Sequence, residues 1–324
     1  GNTGGTIDKL ESIPGFRTAL TEEEFIKNVN ETGLALTGQT GNLAPADKKI
    51  YALRDVTASV DSIPLIASSI MSKKIASGAD AIVLDVKVGN GAFMKNMQDA
   101  EKLAKQMVMI GTNSGRNTIA VISDMNEPLG YAVGNALEVK EAVDTLKGRG
   151  PEDVVELCLE LGAQMLIASE ITDDRQAAVD MLKKSIEDGS AYAKFAEFVK
   201  RQGGYVSVLD DCDTIINARY IVDIVSENSG YVSSIQSGLI GETAMILGGG
   251  RQNKGDDIDH SVGVVLSKKV GDKVDKGDVI ATIYANDKDR IEAANELIVK
   301  AFAIQKEIVD TYPLIKRIIS CKNM

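Results

Sequence analysis

The sequence predicts an α/β fold: a mostly parallel sheet domain with flanking helices, part of a small helical domain, and a C-terminal β-rich α+β subdomain. Between residues 79 and 150, short apolar runs alternate with amphipathic stretches, and strand–helix alternation is typical of parallel sheets with right-handed crossovers. Beyond residue 204 the pattern changes to short strand-like segments separated by turns, which indicates a separate β-rich part.

The N-terminal segment predicts two helices and a short strand. TIDKLES follows a glycine-rich turn and has the character of a helix start. Thr21 and Glu24 have the spacing of a capping box, in which each side chain binds a main-chain N–H at the start of a helix. We expect that helix to end near Gly33, and the following LALT to form a short strand before a polar loop.

The middle of the chain alternates between helices and buried strands. Residues 45–78 predict two helices, with Pro45 and Pro64 in their first turns. ADAIVLDVKVG, residues 79–89, predicts a buried strand; an amphipathic helix, a second buried strand (NTIAVISDMN) and a further helix follow. Residues 151–202 predict helices throughout, and the chain is expected to close with one helix, IEAANELIVKAFAIQKEI, and a short tail.

Composition and charge exclude several classes of protein. The net charge of −11 and the absence of clustered Lys and Arg argue against a nucleic-acid partner. The sequence contains no apolar run long enough for a transmembrane helix, and its first residues do not resemble a signal peptide, so we expect no membrane partner. Cys158, Cys212 and Cys321 lie far apart without a CxxC pair, which argues against a disulfide framework or a zinc site and fits the cytoplasm.

Two segments carry candidate chemistry near the N-terminus. Consecutive glycines in TGGT, residues 3–6, can expose main-chain N–H groups to an oxyanion, although such turns are common. Ser69 and Lys73 share one helix face, and Arg54 lies one helix earlier. A guanidinium suits a flat ring carbonyl, and a lysine can stabilise charge on a leaving base. Spacing alone, however, favours ordinary surface side chains for these three residues.

Further candidates lie in the middle and late parts of the chain. Asp85 and Lys87 end a buried strand, where ligands bind in open α/β sheets, and a structural ion pair explains them equally well. In SDMNEPLGYAVGNALEVKEA, loop carbonyls and the Glu141 carboxylate could form an oxygen-rich cation site, although a surface glutamate is the simpler interpretation. LGGGR, residues 247–251, permits close backbone approach, for which tight packing is the simplest reason.

Taken together, these segments resemble the pyrimidine nucleoside phosphorylase and thymidine phosphorylase family over essentially the whole chain. The segments are TGGTIDKLES, GQTGNLAPADKKIYALRDVTASVDSIPLIASSIMSKK, GADAIVLDVKVGNGAFMK, SDMNEPLG, GNALEVKEA and LGGGR, in this order. The resemblance implies a glycosyltransferase (a pentosyltransferase) of pyrimidine metabolism and nucleoside salvage. Such an enzyme catalyses reversible phosphorolysis of uridine, thymidine or deoxyuridine to the free pyrimidine base and (deoxy)ribose 1-phosphate.

The resemblance also implies domains, site residues and partners. Residues 46–76 would be the pyrimidine-binding remainder of the helical domain, 1–45 and 77–203 the α/β domain on the phosphate and cation side, and 204–324 the α+β subdomain packed on it. The implied site residues are Arg54 and Lys73 (catalytic and substrate-binding), Ser69 (substrate-binding), Thr6 (phosphate-binding), and Leu129, Ala132 and Glu141 (metal-binding). The metal would be a potassium ion, inorganic phosphate the co-substrate, and the assembly a cytoplasmic homodimer.

The sequence departs from the family at its beginning. Relatives carry about a quarter of their length, including a phosphate-binding loop, before the point that matches Gly1, so we expect weak or absent activity. Asn2 stands where relatives usually have histidine, and His260, the only histidine, is expected to be an ordinary surface residue. Two alternatives stay open: a non-catalytic remnant that binds pyrimidines or only dimerises, and an anthranilate-type phosphoribosyltransferase, which lacks here the acidic pair that it needs for magnesium.

Overall fold

The computed structural model describes residues 5–38, 44–47, 50, 62–253 and 255–324. Within these residues the α-helices are α1 (Thr6–Glu11), α2 (Glu22–Thr32), α3 (Ile63–Ala76), α4 (Met97–Asn113), α5 (Asn135–Leu146), α6 (Glu152–Ala168), α7 (Arg175–Glu187), α8 (Ser190–Arg201), α9 (Ser237–Ala244) and α10 (Ile291–Ala301). Its strands are β1 (Ala81–Val88), β2 (Asn117–Asp124), β3 (Ala132–Gly134), β4 (Tyr220–Val225), β5 (Gly230–Ile235), β6 (Gly263–Leu266), β7 (Lys273–Val274), β8 (Val279–Ala285), β9 (Phe302–Gln305) and β10 (Ile315–Ser320). Residues 45–47 and 50 are also helical.

The predicted capping box at the start of α2 is confirmed. The Glu24 N–H donates to Thr21 Oγ1 at 3.2 Å, and the Thr21 N–H donates to Glu24 Oε2 at 3.0 Å. The helix ends at Gly33 as expected. The short strand predicted after it is wrong, because residues 34–38 have no regular structure. The Gln202 side chain binds both the N–H and the C=O of Leu36, so a single buried amide takes the place of a strand partner.

The chain folds into two compact units. The first comprises residues 1–38, 126–154 and 185–312, and the second comprises residues 39–125, 155–184 and 313–324. Each unit is assembled from three separate stretches, so this division differs from the three domains implied by the resemblance. Those domain boundaries stay predictions.

A three-stranded sheet in the order β1-β2-β10 forms the centre of the second unit. β1 and β2 are parallel and joined through α4, which confirms the predicted strand–helix–strand arrangement. Alternate residues of β1 face a core formed with α3 and α4; the fully or nearly buried ones are Ile82, Leu84, Val86 and Val88. β10 pairs antiparallel with β2 where the sequence predicted only a tail.

The first unit contains two antiparallel sheets, ordered β3-β6-β8-β4 and β7-β5-β9, with α9 and α10 packed on them. Its core includes Val232, Ile240, Val264 and Ile283, all at 0% exposure, which confirms the β-rich α+β character predicted beyond residue 204. The last predicted helix runs too long: α10 ends at Ala301 and the chain continues as β9, which pairs with β5.

A smaller helical core in the first unit supports the N-terminal segment. Residues that follow α1 pack against α5 and α8, and the rings of Phe16 and Phe198 meet edge to face with centroids 5.4 Å apart. The end of α1 is thereby held against the helix that follows β3. Within the described ranges, none of the helices combines the length and the apolar character needed to cross a membrane.

Candidate functional site

Ser69 and Lys73 lie together on α3, as their spacing predicts. Lys73 Nζ donates to Ser69 Oγ at 3.2 Å and also pairs with Asp47 Oδ2 at 2.9 Å. The i,i+4 spacing places both side chains on one face of α3, and Pro64 fits the first turn of this helix, where the missing N–H costs nothing. The ion pair of Asp47 with Lys73 joins two helices, and no local sequence pattern predicts it.

Ser69 and Lys73 open onto a cavity of about 430 Å³ in the second unit. The lining residues are Ile66, Ser69, Ile70, Lys73, Asp85, Val86, Lys87, Phe93, Met94, Leu103 and Met107. Phe93 is 58% exposed, unusually open for an aromatic side chain, and its ring can cover a flat ligand. The sequence analysis did not single out Phe93. This residue follows two glycines directly after the end of β1, and side chains at such an edge of a sheet are free to bind a ligand.

Asp85 and Lys87 form a structural pair that also lines this cavity. Lys87 Nζ lies 2.8 Å from Asp85 Oδ2 and donates to Ser123 Oγ at 2.9 Å. Ser123 Oγ in turn donates to Asp85 Oδ1 at 2.5 Å. The parallel register places Ser123 of β2 directly beside Lys87 of β1. The structural alternative is confirmed, because the charges are paired; they also face the cavity that Ser69 and Lys73 share, and a role in binding stays a prediction.

The remaining N-terminal candidates have different outcomes. Arg54 lies outside the described residues, so its role stays a prediction. Thr6 is the exposed first residue of α1, and the Gly5 N–H, one of the candidate donors to an oxyanion, donates instead to Asp8 Oδ2 at 3.0 Å. Asp8 also binds Arg251 of LGGGR, so this glycine-rich turn brings its arginine to the start of α1.

His260 is not the ordinary surface residue that the sequence predicted. It is half-buried, its main-chain carbonyl accepts the Ala136 N–H, and its Nδ1 is buried without a hydrogen bond from any described residue. β6 begins three residues after His260, so the chain that leads into this strand passes close to α5. The histidine is partly buried there.

The loop before β3 wraps around the Glu141 carboxylate in the first unit. Glu141 Oε1 accepts the N–H groups of Tyr131 at 2.8 Å and Ala132 at 3.0 Å. Gly130 makes room for it: with φ of +66°, a Cβ at this position would lie 2.2 Å from Glu141 Oε2. Burial raises the pKa of Glu141, and nearby Glu138 and Asp153 add to this, although the two N–H groups oppose it. A cation at this carboxylate would relieve both effects.

The direction of the main chain supports an oxygen site here. The Tyr131 carbonyl accepts the Leu266 N–H of β6 at 2.8 Å. Carbonyls alternate along a strand, so the Ala132 carbonyl points away from β6, to the side where the Ala132 N–H meets Glu141. One carboxylate with main-chain carbonyls is a hard-oxygen donor set, and a single negative charge suits a monovalent cation. Leu129 lies half-buried in the same loop.

Comparison with known proteins shows the class to which the chain belongs. The sequence model of the family described as "Glycosyl transferase family, a/b domain" matches residues 1–192, more than half of the chain. That of the "Pyrimidine nucleoside phosphorylase C-terminal domain" matches residues 231–305. The protein is therefore a glycosyl-transferring α/β enzyme with an added C-terminal domain. The second match favours a nucleoside phosphorylase over the anthranilate-type alternative.

Three similar relatives narrow the class further, each a pyrimidine-nucleoside phosphorylase. The protein of Staphylococcus haemolyticus is 55% identical over 320 residues, covering 99% of this chain and 73% of the relative. Those of Geobacillus stearothermophilus and Bacillus subtilis are 59% and 57% identical, covering 88% and 93% of this chain and 66% and 69% of the relatives. The chain belongs to the pyrimidine-nucleoside phosphorylase family. The expectation of weak or absent activity gains no support from these comparisons, because the chain covers most of each relative.

Proposed function

We propose that this protein catalyses the reversible phosphorolysis of pyrimidine nucleosides, releasing the free base and forming (deoxy)ribose 1-phosphate. The observation that carries the proposal is the pair formed by the Lys73 ammonium and the Ser69 hydroxyl, 3.2 Å apart at a cavity that Phe93 also lines. The cavity offers a cation, a hydroxyl and an aromatic face, which together suit a flat ring bearing carbonyl oxygens.

Lys73 would supply the chemical assistance. When the bond between sugar and base breaks, negative charge develops on the departing pyrimidine, and a fixed ammonium stabilises it more in the transition state than in the ground state. Asp47 holds the ammonium at 2.9 Å, so the cation is oriented before the substrate arrives. Ser69 would bind a ring oxygen or nitrogen, and Arg54 is proposed to bind the pyrimidine as well, as the resemblance implies.

Phosphate would be the nucleophile. It would attack the anomeric carbon as the base departs, through an oxocarbenium-like transition state with inversion at carbon. Thr6, exposed at the start of α1, is the described residue proposed to contact it. No covalent intermediate on the protein is needed, so the catalytic contribution is positioning together with charge stabilisation.

The decisive experiment measures base release from uridine and thymidine by absorbance, with and without phosphate. We expect phosphate-dependent release, lowered about a hundredfold in kcat/KM by Lys73→Met and about tenfold by Ser69→Ala. Lys74→Met is the matched control, because Lys74 is the next residue of α3 but is exposed and does not line the cavity. It should leave the rate nearly unchanged.

Two results would contradict the proposal. Wild-type protein that binds uracil but releases no base would point to the non-catalytic alternative. Equal losses in Lys73→Met and Lys74→Met would separate the activity from this cavity, and the pyrimidine would have to bind elsewhere.

We also propose that a potassium ion binds the main-chain carbonyls of Leu129 and Ala132 and the carboxylate of Glu141. The half-buried carboxylate, its raised pKa and the direction of the Ala132 carbonyl support this set. A bound potassium ion would supply positive charge that ties the loop before β3 to α5. Glu141 also holds the end of this loop in place, because its carboxylate accepts two consecutive main-chain N–H groups.

Assembly and location follow the resemblance: we propose a homodimer in the cytoplasm. The three cysteines are free thiols, as suits a reducing compartment. Light scattering of the purified protein would test the dimer, and a mass of one chain that does not change with concentration would contradict it.

A further inference from the structure

Lys269 places a positive charge inside the loop that precedes β3. Its side chain is 14% exposed, and its Nζ donates to the carbonyl oxygens of Pro128 and, at 3.0 Å, Gly130. The same ammonium lies 3.0 Å from Asp153 Oδ2 and 3.8 Å from Glu127 Oε2. A buried ammonium is costly unless its donors are satisfied, so the loop is held closed around it.

The two carboxylates next to the Lys269 ammonium also accept hydrogen bonds from the main chain. Asp153 Oδ2 accepts the Gly130 N–H at 2.9 Å, and Glu127 Oε2 accepts the Val270 N–H at 2.9 Å. Both the N–H and the C=O of Gly130 are therefore fixed by this cluster. The Lys269 ammonium therefore resembles a bound cation, because carbonyl and carboxylate oxygens surround its single positive charge.

This cluster lies next to Leu129, one of the residues proposed to bind potassium. Pro128 and Gly130 flank Leu129 in the chain, and the carbonyls of both flanking residues point at Lys269. Fixing the peptide groups on either side restricts the direction of the Leu129 carbonyl. The next two N–H groups, of Tyr131 and Ala132, bind Glu141.

We propose that Lys269 is a positioning residue for the monovalent cation site, a tethered ammonium that orders the loop so that its free oxygens meet the ion. The inference rests on the proposed potassium site. The charge of Lys269 offsets one of the two negative charges of Asp153 and Glu127, so the loop keeps net negative charge, to which Glu141 adds, for a bound cation.

Thermal unfolding without substrates tests this directly. Melting temperatures are compared in potassium chloride and in choline chloride at equal ionic strength, for wild type, Lys269→Met and Lys268→Met. Lys268 is the matched control, because it is adjacent in sequence but pairs with Asp278 at 3.3 Å. We expect wild type and Lys268→Met to gain the same stabilisation from potassium, and Lys269→Met to lose most of it.

Kinetics provide a second readout that a merely structural role would not change. In Lys269→Met, the potassium concentration for half-maximal phosphorolysis should rise about tenfold, while kcat at saturating potassium changes little. If Lys269→Met does not fold, Asp153→Asn replaces it, because it keeps the lysine but removes one charged contact to it. Asp153→Asn should lose part of the potassium stabilisation.

Each outcome supports or overturns a specific proposal. A full potassium response in Lys269→Met, or in Asp153→Asn should that be the variant measured, overturns the inference even if the melting temperature falls in both salts. A wild type without any potassium-specific stabilisation overturns the cation site and the inference together but leaves phosphorolysis standing. A wild type that responds to potassium without releasing base contradicts the proposed activity, and the thermal data alone then decide the role of Lys269.

Discussion

Arg251 and Asp8 form a bidentate ion pair although they lie 243 positions apart in the chain. The guanidinium Nη1 and Nη2 donate to Oδ2 and Oδ1 of Asp8 at 3.1 and 2.9 Å. Burial alone would raise the pKa of Asp8, but the hydrogen bonds from Arg251 and Gly5, with the charge of Arg251, hold it below its usual 3.8. The pair joins the glycine-rich LGGGR turn to the start of α1.

This ion pair predicts a stability difference that depends on pH. A carboxyl group whose pKa is lowered on folding stabilises the fold above its unfolded pKa, and the contribution is lost as pH falls through the folded value. Arg251→Met should therefore lower the free energy of unfolding by about 1–3 kcal/mol at pH 7. The difference from wild type should shrink as the pH falls below 3.8, measured by urea unfolding.

The control for this prediction is Arg149→Met. Arg149 pairs with Asp144 at 2.6 Å, but its side chain is 62% exposed, so the loss should stay below about 1 kcal/mol. A penalty for Arg251→Met that is the same at pH 7 and at pH 3 would mean that lost packing of the arginine stem, rather than its charge, causes the effect.

Features governed by neighbouring residues could be predicted from the sequence. The capping box at Thr21 needs only a residue three positions away, and β1 and β2 follow from apolar runs of strand length. The candidate pair Ser69 and Lys73 also depends on helical spacing alone, so its shared face was predictable. In each case one segment carries the whole signal.

Contacts between distant segments could not be predicted. Lys268 and Lys269 are adjacent lysines, yet the Lys269 side chain reaches the loop before β3, whereas Lys268 pairs with Asp278. Only the fold decides which of them is buried. The sequence predicted only a tail at β10. Its six residues form a strand because the edge of β2, a distant segment, offers a partner. The pairing of Asp47 with Lys73 likewise depends on how two helices meet.

Gln202 predicts a large effect from a single amide. The side chain is fully buried, and its Nε2 donates to the carbonyls of Arg17 and Leu36 at 2.7 and 2.8 Å, while its Oε1 accepts the Leu36 N–H at 2.7 Å. Gln202→Ala would remove the partner of three part-buried main-chain groups and leave a void beside them. We expect a loss of about 3–5 kcal/mol in the free energy of unfolding, measured by urea denaturation.

Gln98→Ala is the control for Gln202→Ala. Gln98 is exposed on α4, where alanine is the better helix former, so stability should stay the same or rise slightly. Gln202→Glu adds a further check, because it keeps the shape of the side chain but turns an acceptor toward two carbonyls. A Gln202→Glu variant as stable as wild type would contradict the described hydrogen bonds.

Gly130 predicts a specific loss of cation response. A methyl group at Gly130 would lie 2.2 Å from Glu141 Oε2, so Gly130→Ala must displace the carboxylate. Gly33→Ala is matched to it, because Gly33 also has a positive φ, +80°, but no atom within 4 Å of the added methyl. Both variants should lose about 1–2 kcal/mol from backbone strain, and only Gly130→Ala should lose the potassium-specific rise in melting temperature. Retention of that rise in Gly130→Ala would show that Glu141 does not bind the ion.

Ser123 predicts a link between the paired charges at the end of β1 and nucleoside binding. Its fully buried hydroxyl donates to Asp85 and accepts from Lys87, and both charged side chains line the cavity of Ser69 and Lys73. Ser123→Ala leaves the direct ion pair but frees it to move, so we expect a loss of about 1–2 kcal/mol in unfolding free energy.

Because Lys87 and Asp85 would no longer be held at the cavity wall, the KM for uridine in Ser123→Ala should rise several-fold with a smaller change in kcat. Ser77→Ala is the control: Ser77 is exposed at the end of α3, and its hydroxyl donates only to the Lys74 carbonyl among the described contacts. Urea unfolding and initial rates across a range of uridine concentrations measure both effects. Lower stability with an unchanged KM would make Asp85, Lys87 and Ser123 a structural cluster only, and the nucleoside would then depend on the α3 side of the cavity alone.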